Sequence, residues 1–132
     1  MGIKKKITYS KAKKLAWSAF SEFIRRRDEL DGCFTCGVKK PYKMMQAGHW
    51  IPGRHNSLLF NEIGCHAQCY SCNCGWLKGN PVKYYDHMLE KYGKEVCDEL
   101  KLLDTQTKEY KVYELLEIEQ RYKLSIDNLQ NR

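Results

Sequence analysis

Two Cys-x-x-Cys pairs, Cys33 with Cys36 and Cys69 with Cys72, stand 32 residues apart in a chain of 132. Four thiolates in two such pairs are the usual tetrahedral donor set for a structural Zn²⁺. Cys65, His66 and Cys74 lie close to the second pair and allow alternative quartets; the matched spacing favours Cys69 and Cys72. Between the pairs lies one histidine in a short apolar run, Gln46-Ala47-Gly48-His49-Trp50, and Asn73 directly follows the last cysteine. An imidazole titrates near neutrality, so His49 can take a proton from water at physiological pH. The amide oxygen of Asn73 is a hard neutral donor suited to Mg²⁺ or Mn²⁺, and a neighbouring zinc site would pin it. His66 is a second candidate ligand for that ion, with Asn61 and Glu62 as weaker oxygen donors or hairpin braces. These are the groups that phosphodiester hydrolysis requires: a base for water and a cation for the developing charge. The competing reading is a zinc ribbon without chemistry, in which His49 is a plain strand residue and Asn73 bonds local backbone.

Such groups need elements to hold them. Residues 1–9 read as a basic flexible arm. Ser10 is the expected cap of a helix reaching about Leu30, with Leu15, Ala16, Ala19, Phe20, Phe23 and Ile24 on one apolar face. Arg25, Arg26 and Arg27 complement the dipole at its end. The pattern then predicts a strand over residues 44–51 that carries His49 and Trp50. Pro52-Gly53 stops it, and a second hairpin strand is expected at Leu58-Leu59-Phe60. From Gly64 or His66 the chain is expected to turn helical through the second cysteine pair. Asn80-Pro81 signals a helix to Tyr92, closed by Gly93; further helices are expected over residues 94–103 and 107–129. The stripe Val112, Leu115, Tyr122, Ile126, Leu129 reads as packing onto the domain, and Cys97 as an ordinary buried thiol. The fold class that follows is α+β: one domain over residues 10–132, with an N-terminal helix (10–30), a zinc-bound core (31–80) and C-terminal helices (81–132).

The charge is uneven. The net charge is +7, and residues 1–27 hold nine basic groups and one acid, while the rest of the chain nets −1. Lys4, Lys5, Lys6, Lys11, Lys13, Lys14, Arg25, Arg26, Arg27 and, on the loop after the first strand, Arg54 form the expected contact with nucleic-acid phosphates. A basic tail that serves only solubility is the alternative. Tyr70, Trp76, Tyr84 and Tyr85 are candidates for stacking on unpaired bases, against core packing for at least two of them. No apolar run approaches the roughly 20 residues of a membrane span, and no apolar stretch follows the basic N-terminus as in a secretory signal. Seven cysteines in such a chain point to a reducing compartment and to metal rather than disulfides.

The chain resembles the phage NinG/Rap family of recombination endonucleases. The matching segments are Ala19-Phe20-Ser21, Ile24 to Asp28, Cys33-x-x-Cys36-Gly37, Gln46 to Trp50, Phe60-Asn61-Glu62, Cys65-His66-Ala67-Gln68-Cys69-x-x-Cys72-Asn73 and Gly79-Asn80. The resemblance implies an HNH (His-Me finger) nuclease with a zinc-stabilised ββα-metal core and flanking helices. It would cut branched or single-stranded DNA intermediates such as Holliday junctions and D-loops. It further implies His49 as general base, Asn73 as ligand of a catalytic Mg²⁺ or Mn²⁺, and Cys33, Cys36, Cys69 and Cys72 around structural Zn²⁺. A phage or prophage origin, action in the bacterial cytoplasm and a homodimer are implied too, with no membrane partner. Gly48 stands where many such enzymes carry an acidic ligand, so His66 or Glu62 is expected to complete the site. Gly64 stands where the family's segment usually has Asn, so any bracing of the hairpin is unfilled or falls to Asn61. The alternative function is a zinc-dependent DNA-binding accessory module without nuclease activity.

Overall fold

Helix α1 (Tyr9–Arg27) opens the chain in a computed structural model that describes residues 6–131. Lys4, Lys5 and most of the expected arm lie outside those residues. Thr8, not Ser10, caps the helix: its hydroxyl accepts from the Lys11 N–H at 3.1 Å, and Ser10 falls in the first turn. Ala12, Ala16, Ala19, Phe20 and Ile24 recur at helical spacing and are buried. Their main partner is the last helix, α6 (Val112–Gln130), which presents Leu115, Ile118, Tyr122 and Ile126. Phe20 meets Tyr122 and Phe60 edge-on, with centroids 5.0 and 5.7 Å away. The stripe on α6 thus packs onto the domain as expected, although the helix starts at Val112 rather than Thr107.

A two-stranded antiparallel sheet lies against α1. Strand β1 (Gln46–His49) is shorter than expected, and its partner β2 is Cys65–Gln68, with Gly48 opposite His66. Two expectations change places here. Leu58 and Leu59 lie in a one-turn helix, α2 (Asn56–Leu59), and the segment expected to be helical is the second strand. The cause lies in its surroundings. All four β2 residues are buried, so the strand shows no polar alternation for a sequence pattern to register. Its Ala67 N–H donates to Asp28 at 2.9 Å and its Ala67 carbonyl accepts from Phe34 at 2.8 Å, so the edge away from β1 is also occupied. Asn61 turns the chain into it: its side-chain oxygen accepts from the Ile63 and Gly64 N–H groups at 3.0 and 2.9 Å. The brace expected of Asn61 is therefore present.

Helix α3 (Tyr70–Asn73) follows β2 almost directly, and α4 (Pro81–Tyr92) and α5 (Lys94–Asp104) meet at Gly93, whose φ is +88°. Pro81 starts α4 as expected, but Asn80 is left-handed (φ +50°) and makes no cap; its amide donates to the Cys72 sulfur at 3.7 Å. Trp50, Leu58, Tyr84, Met88, Cys97 and Leu100 make a second cluster under α4 and α5, with Cys97 the buried thiol expected. A third gathers Cys33, Met45, Ala67, Cys69 and Cys72. The fold is α+β, mostly helical, with one small sheet. Among the described residues no helix is long and apolar enough to cross a membrane.

Candidate functional site

The sulfurs of Cys33, Cys36, Cys69 and Cys72 all lie within 4.8 Å of one another, with Cys36 and Cys69 at 3.7 Å. Zinc–sulfur bonds of 2.3 Å set tetrahedral sulfurs about 3.8 Å apart, so the cluster has the size and donor type for Zn²⁺. Backbone bonds shape the first pair: Cys33 N–H donates to Val38 at 2.8 Å and Gly37 N–H to Cys33 at 2.8 Å. Gly32 must be glycine there, since its φ is +82° and a Cβ would come within 2.8 Å of the Val38 oxygen. Burial pushes the Cys33 thiol up, but the Thr35 hydroxyl and nearby backbone N–H groups bring it down to about 6. Cys36 is pushed up to about 12 by burial and by its sulfur neighbours. The Cys33 thiolate forms readily while burial makes Cys36 and Cys72 resist, as crowded sulfurs do until a cation balances them. The alternative quartets are not assembled. Cys65 is buried between α1 and α6, and Cys74 is exposed and donates to Gln46 at 2.9 Å.

A cavity of about 520 Å³ opens beside this cluster, with β1 as its floor and α1 and α3 as walls. His49 and Asn73 both line it, although 24 positions separate them in sequence. The Nε2 of His49 is 3.0 Å from the Leu59 carbonyl. A carbonyl only accepts, so Nε2 carries the proton and Nδ1 keeps its lone pair. Burial lowers the His49 pKa, the Leu59 carbonyl opposes that, and the Arg54 charge adds to the lowering. Trp17 of α1 stacks on the imidazole at 5.3 Å and 26°, whereas Trp50, the next residue along the chain, stacks on Tyr85. The Asn73 amide donates to Gln46 at 2.7 Å. A Cβ on Gly48 would run into the buried Gln68 oxygen and stand 2.8 Å from the Asn73 oxygen. No side chain fits at the position before His49. The Gln68 amide donates to Thr35 and to the Gly79 carbonyl, both at 3.1 Å, while its own oxygen has no hydrogen-bond partner. Arg25, Arg54 and Lys78 line the cavity, and no acid does.

The remaining candidates disperse. His66 is buried away from the cavity, with Nε2 2.7 Å from the Tyr92 hydroxyl, Nδ1 3.3 Å from the Tyr84 hydroxyl and Phe34 stacked on its ring. Burial pushes its pKa down to about 3. The expectation that it completes a divalent site with Asn73 does not hold, because both ring nitrogens are engaged elsewhere. Glu62 accepts from Tyr122 at 3.0 Å, also off the cavity. Arg27 is an internal clamp rather than a phosphate contact: it bonds Asp28 and the carbonyls of Glu62 and Cys65. Arg26 pairs with Glu22 and lies over the Tyr42 ring. Lys6, Lys11 and Lys14 are exposed, and Lys13 is half-buried beside Tyr9. Tyr84 is fully buried and Tyr85 packed, whereas Tyr70 and Trp76 are exposed.

Trp17, Gln46, Gln68 and Lys78 are site residues that spacing did not single out. Only Gln46 and Gln68 carried a signal, since they flank the His49 and Cys69 motifs. No curated protein and no solved structure matches this chain. A family model, that of the bacteriophage lambda NinG protein, matches residues 2–132, and the chain belongs to that family.

Proposed function

We propose that this chain is a metal-dependent DNA endonuclease of the HNH type that hydrolyses phosphodiester bonds in branched or single-stranded recombination intermediates. The observation that carries the reading is the cavity where His49, with one free ring nitrogen, and Asn73 meet three basic side chains and no acid. The order β1, β2, α3, with the one-turn α2 between the strands, supports the reading because a ββα unit runs strand, strand, helix. Nδ1 of His49 takes the proton of the attacking water, while the Leu59 carbonyl fixes the ring and Trp17 shields it from bulk solvent. Arg25, Arg54 and Lys78 hold the phosphates. Asn73, already tied to Gln46, would hold a Mg²⁺ or Mn²⁺ through its amide oxygen. When bound, such an ion supplies charge stabilisation at the phosphate and the leaving oxygen.

The test is cleavage of a labelled four-way junction, a linear duplex and a single strand, with Mg²⁺, Mn²⁺ or EDTA. Wild type is expected to cut the junction or the single strand only with metal. His49→Ala is expected to lose at least about a hundredfold in rate while retaining zinc and DNA affinity. Equal cutting by that variant removes His49 from the mechanism. A second reading, a zinc-stabilised DNA-binding accessory module, is favoured by the lack of any carboxylate to anchor a divalent ion in the cavity. Tight binding without metal-dependent cuts on any substrate would select it.

A further inference from the structure

Trp17 carries two planar neighbours, the His49 imidazole and the Arg54 guanidinium, the latter 4.3 Å from its ring centroid. Arg54 reaches this place from a left-handed backbone, φ +50°, a conformation that costs a non-glycine residue energy and so needs the surroundings to hold it. Next to this cluster is a second hollow of about 360 Å³, lined by Tyr9, Ser10, Lys13, Lys14, Trp17 and Arg54. It shares Trp17 and Arg54 with the cavity of His49, so the two lie side by side with that stacked pair in the wall of both. Tyr9, Lys13 and Trp17 fall at i, i+4 and i+8 of α1 and make one wall; Tyr9 is 41% exposed. Three cationic groups stand around this hollow and no acid lines it. Aromatic rings and a guanidinium plane beside lysines are what a nucleobase and its flanking phosphates bind.

We propose that this hollow is a base-stacking subsite for an unpaired deoxynucleotide next to the phosphate held beside His49. A paired base lies inside the duplex stack and would have to be flipped out to enter, so the subsite selects a single-stranded arm of a branched substrate. Stacking is indifferent to base identity, so the selection is for unpaired structure and not for sequence. The position of this subsite relative to the cut rests on the endonuclease reading; its affinity for a base does not.

The experiment measures binding of zinc-loaded full-length chain to two labelled single strands of equal length, one of thymidine nucleotides and one wholly abasic. No Mg²⁺ or Mn²⁺ is added, so both strands stay intact. Wild type is expected to bind the strand with bases about tenfold or more tightly than the abasic one, with quenching of tryptophan fluorescence. Tyr9→Ala, at an exposed position, and Arg54→Lys, which keeps the charge and loses the plane, are expected to bring the two affinities together. The affinity of Tyr9→Ala for the abasic strand should be unchanged, which also reports that it is folded; Arg54→Lys, at a phosphate contact, is read only by the ratio of its two affinities. Equal wild-type affinities for the two strands would overturn the subsite. So would a base preference that survives both substitutions, which would place stacking elsewhere, as on Tyr70 or Trp76. A base preference that vanishes in the variants, with no cleavage by wild type in any metal, would uphold the subsite and sink the nuclease.

Discussion

In its proposed role as base His49 needs its neutral form, and burial is the main force that sets its titration. A group whose charged form is disfavoured gives up its proton at lower pH, so the base stays competent further into acid than a free histidine. The acid limb of the pH profile of kcat/KM for cleavage is therefore expected to break below 6.5, with a slope of one below the break. A break at or above that value would mean that another group limits the rate. His49, Asn73 and the four cysteines were legible because spacing along the chain carries them. Trp17 was not, since its contact with His49 bridges 32 positions and two elements. Gly48 was legible only as a missing acid. The structure adds that Gln68 crowds the space where a side chain would stand. Arg27 was read by charge alone, which cannot tell a surface cation from one with three hydrogen-bond partners inside the fold.

Arg27 also joins elements, tying the end of α1 to the turn before β2 and to the first residue of β2 through the Glu62 and Cys65 carbonyls. Asp28, which it pairs at 2.7 Å, is 5% exposed and holds the Ala67 N–H of the same strand. Arg27→Ala leaves that carboxylate without its cation, and denaturant unfolding is expected to show a loss of about 3 kcal/mol. Lys14→Ala, on the solvent side of α1, is expected to stay within about 0.5 kcal/mol of wild type. Equal effects of the two would mean the clamp contributes nothing. The four long helices were legible from their 3.6-residue period and from Pro81 and Gly93 at their ends. The hairpin was not. Four-residue segments such as Asn56-Ser57-Leu58-Leu59 and Cys65-His66-Ala67-Gln68 are too short to show a period, and tertiary neighbours decide them.

Across the whole molecule, the cysteine cluster joins parts that the two larger cores leave separate. The first cysteine pair hangs on β2 through the Phe34 N–H and Ala67 carbonyl, and the second leads directly into Asn73. One zinc per chain is the expected stoichiometry. Removal by a strong chelator is expected to lower Tm by about 10 °C or more, and Cys69→Ser to lose the metal. A metal-free chain with unchanged Tm would make the cluster an ornament. The order of the elements has a further consequence for biosynthesis. Helix α1 leaves the ribosome well before α6, which covers its apolar face. Until α6 emerges, the sheet and its histidine have a solvent-exposed helix as their wall, with Trp17 on a scaffold that is only half packed. Closing contacts between the two ends of a chain form late, because the loop they close is the longest available. A nascent chain of this kind carries His49, Asn73 and the four cysteines in sequence and yet holds them in place only after α6 has emerged. On the endonuclease reading, cutting would in this way wait for α6 to dock.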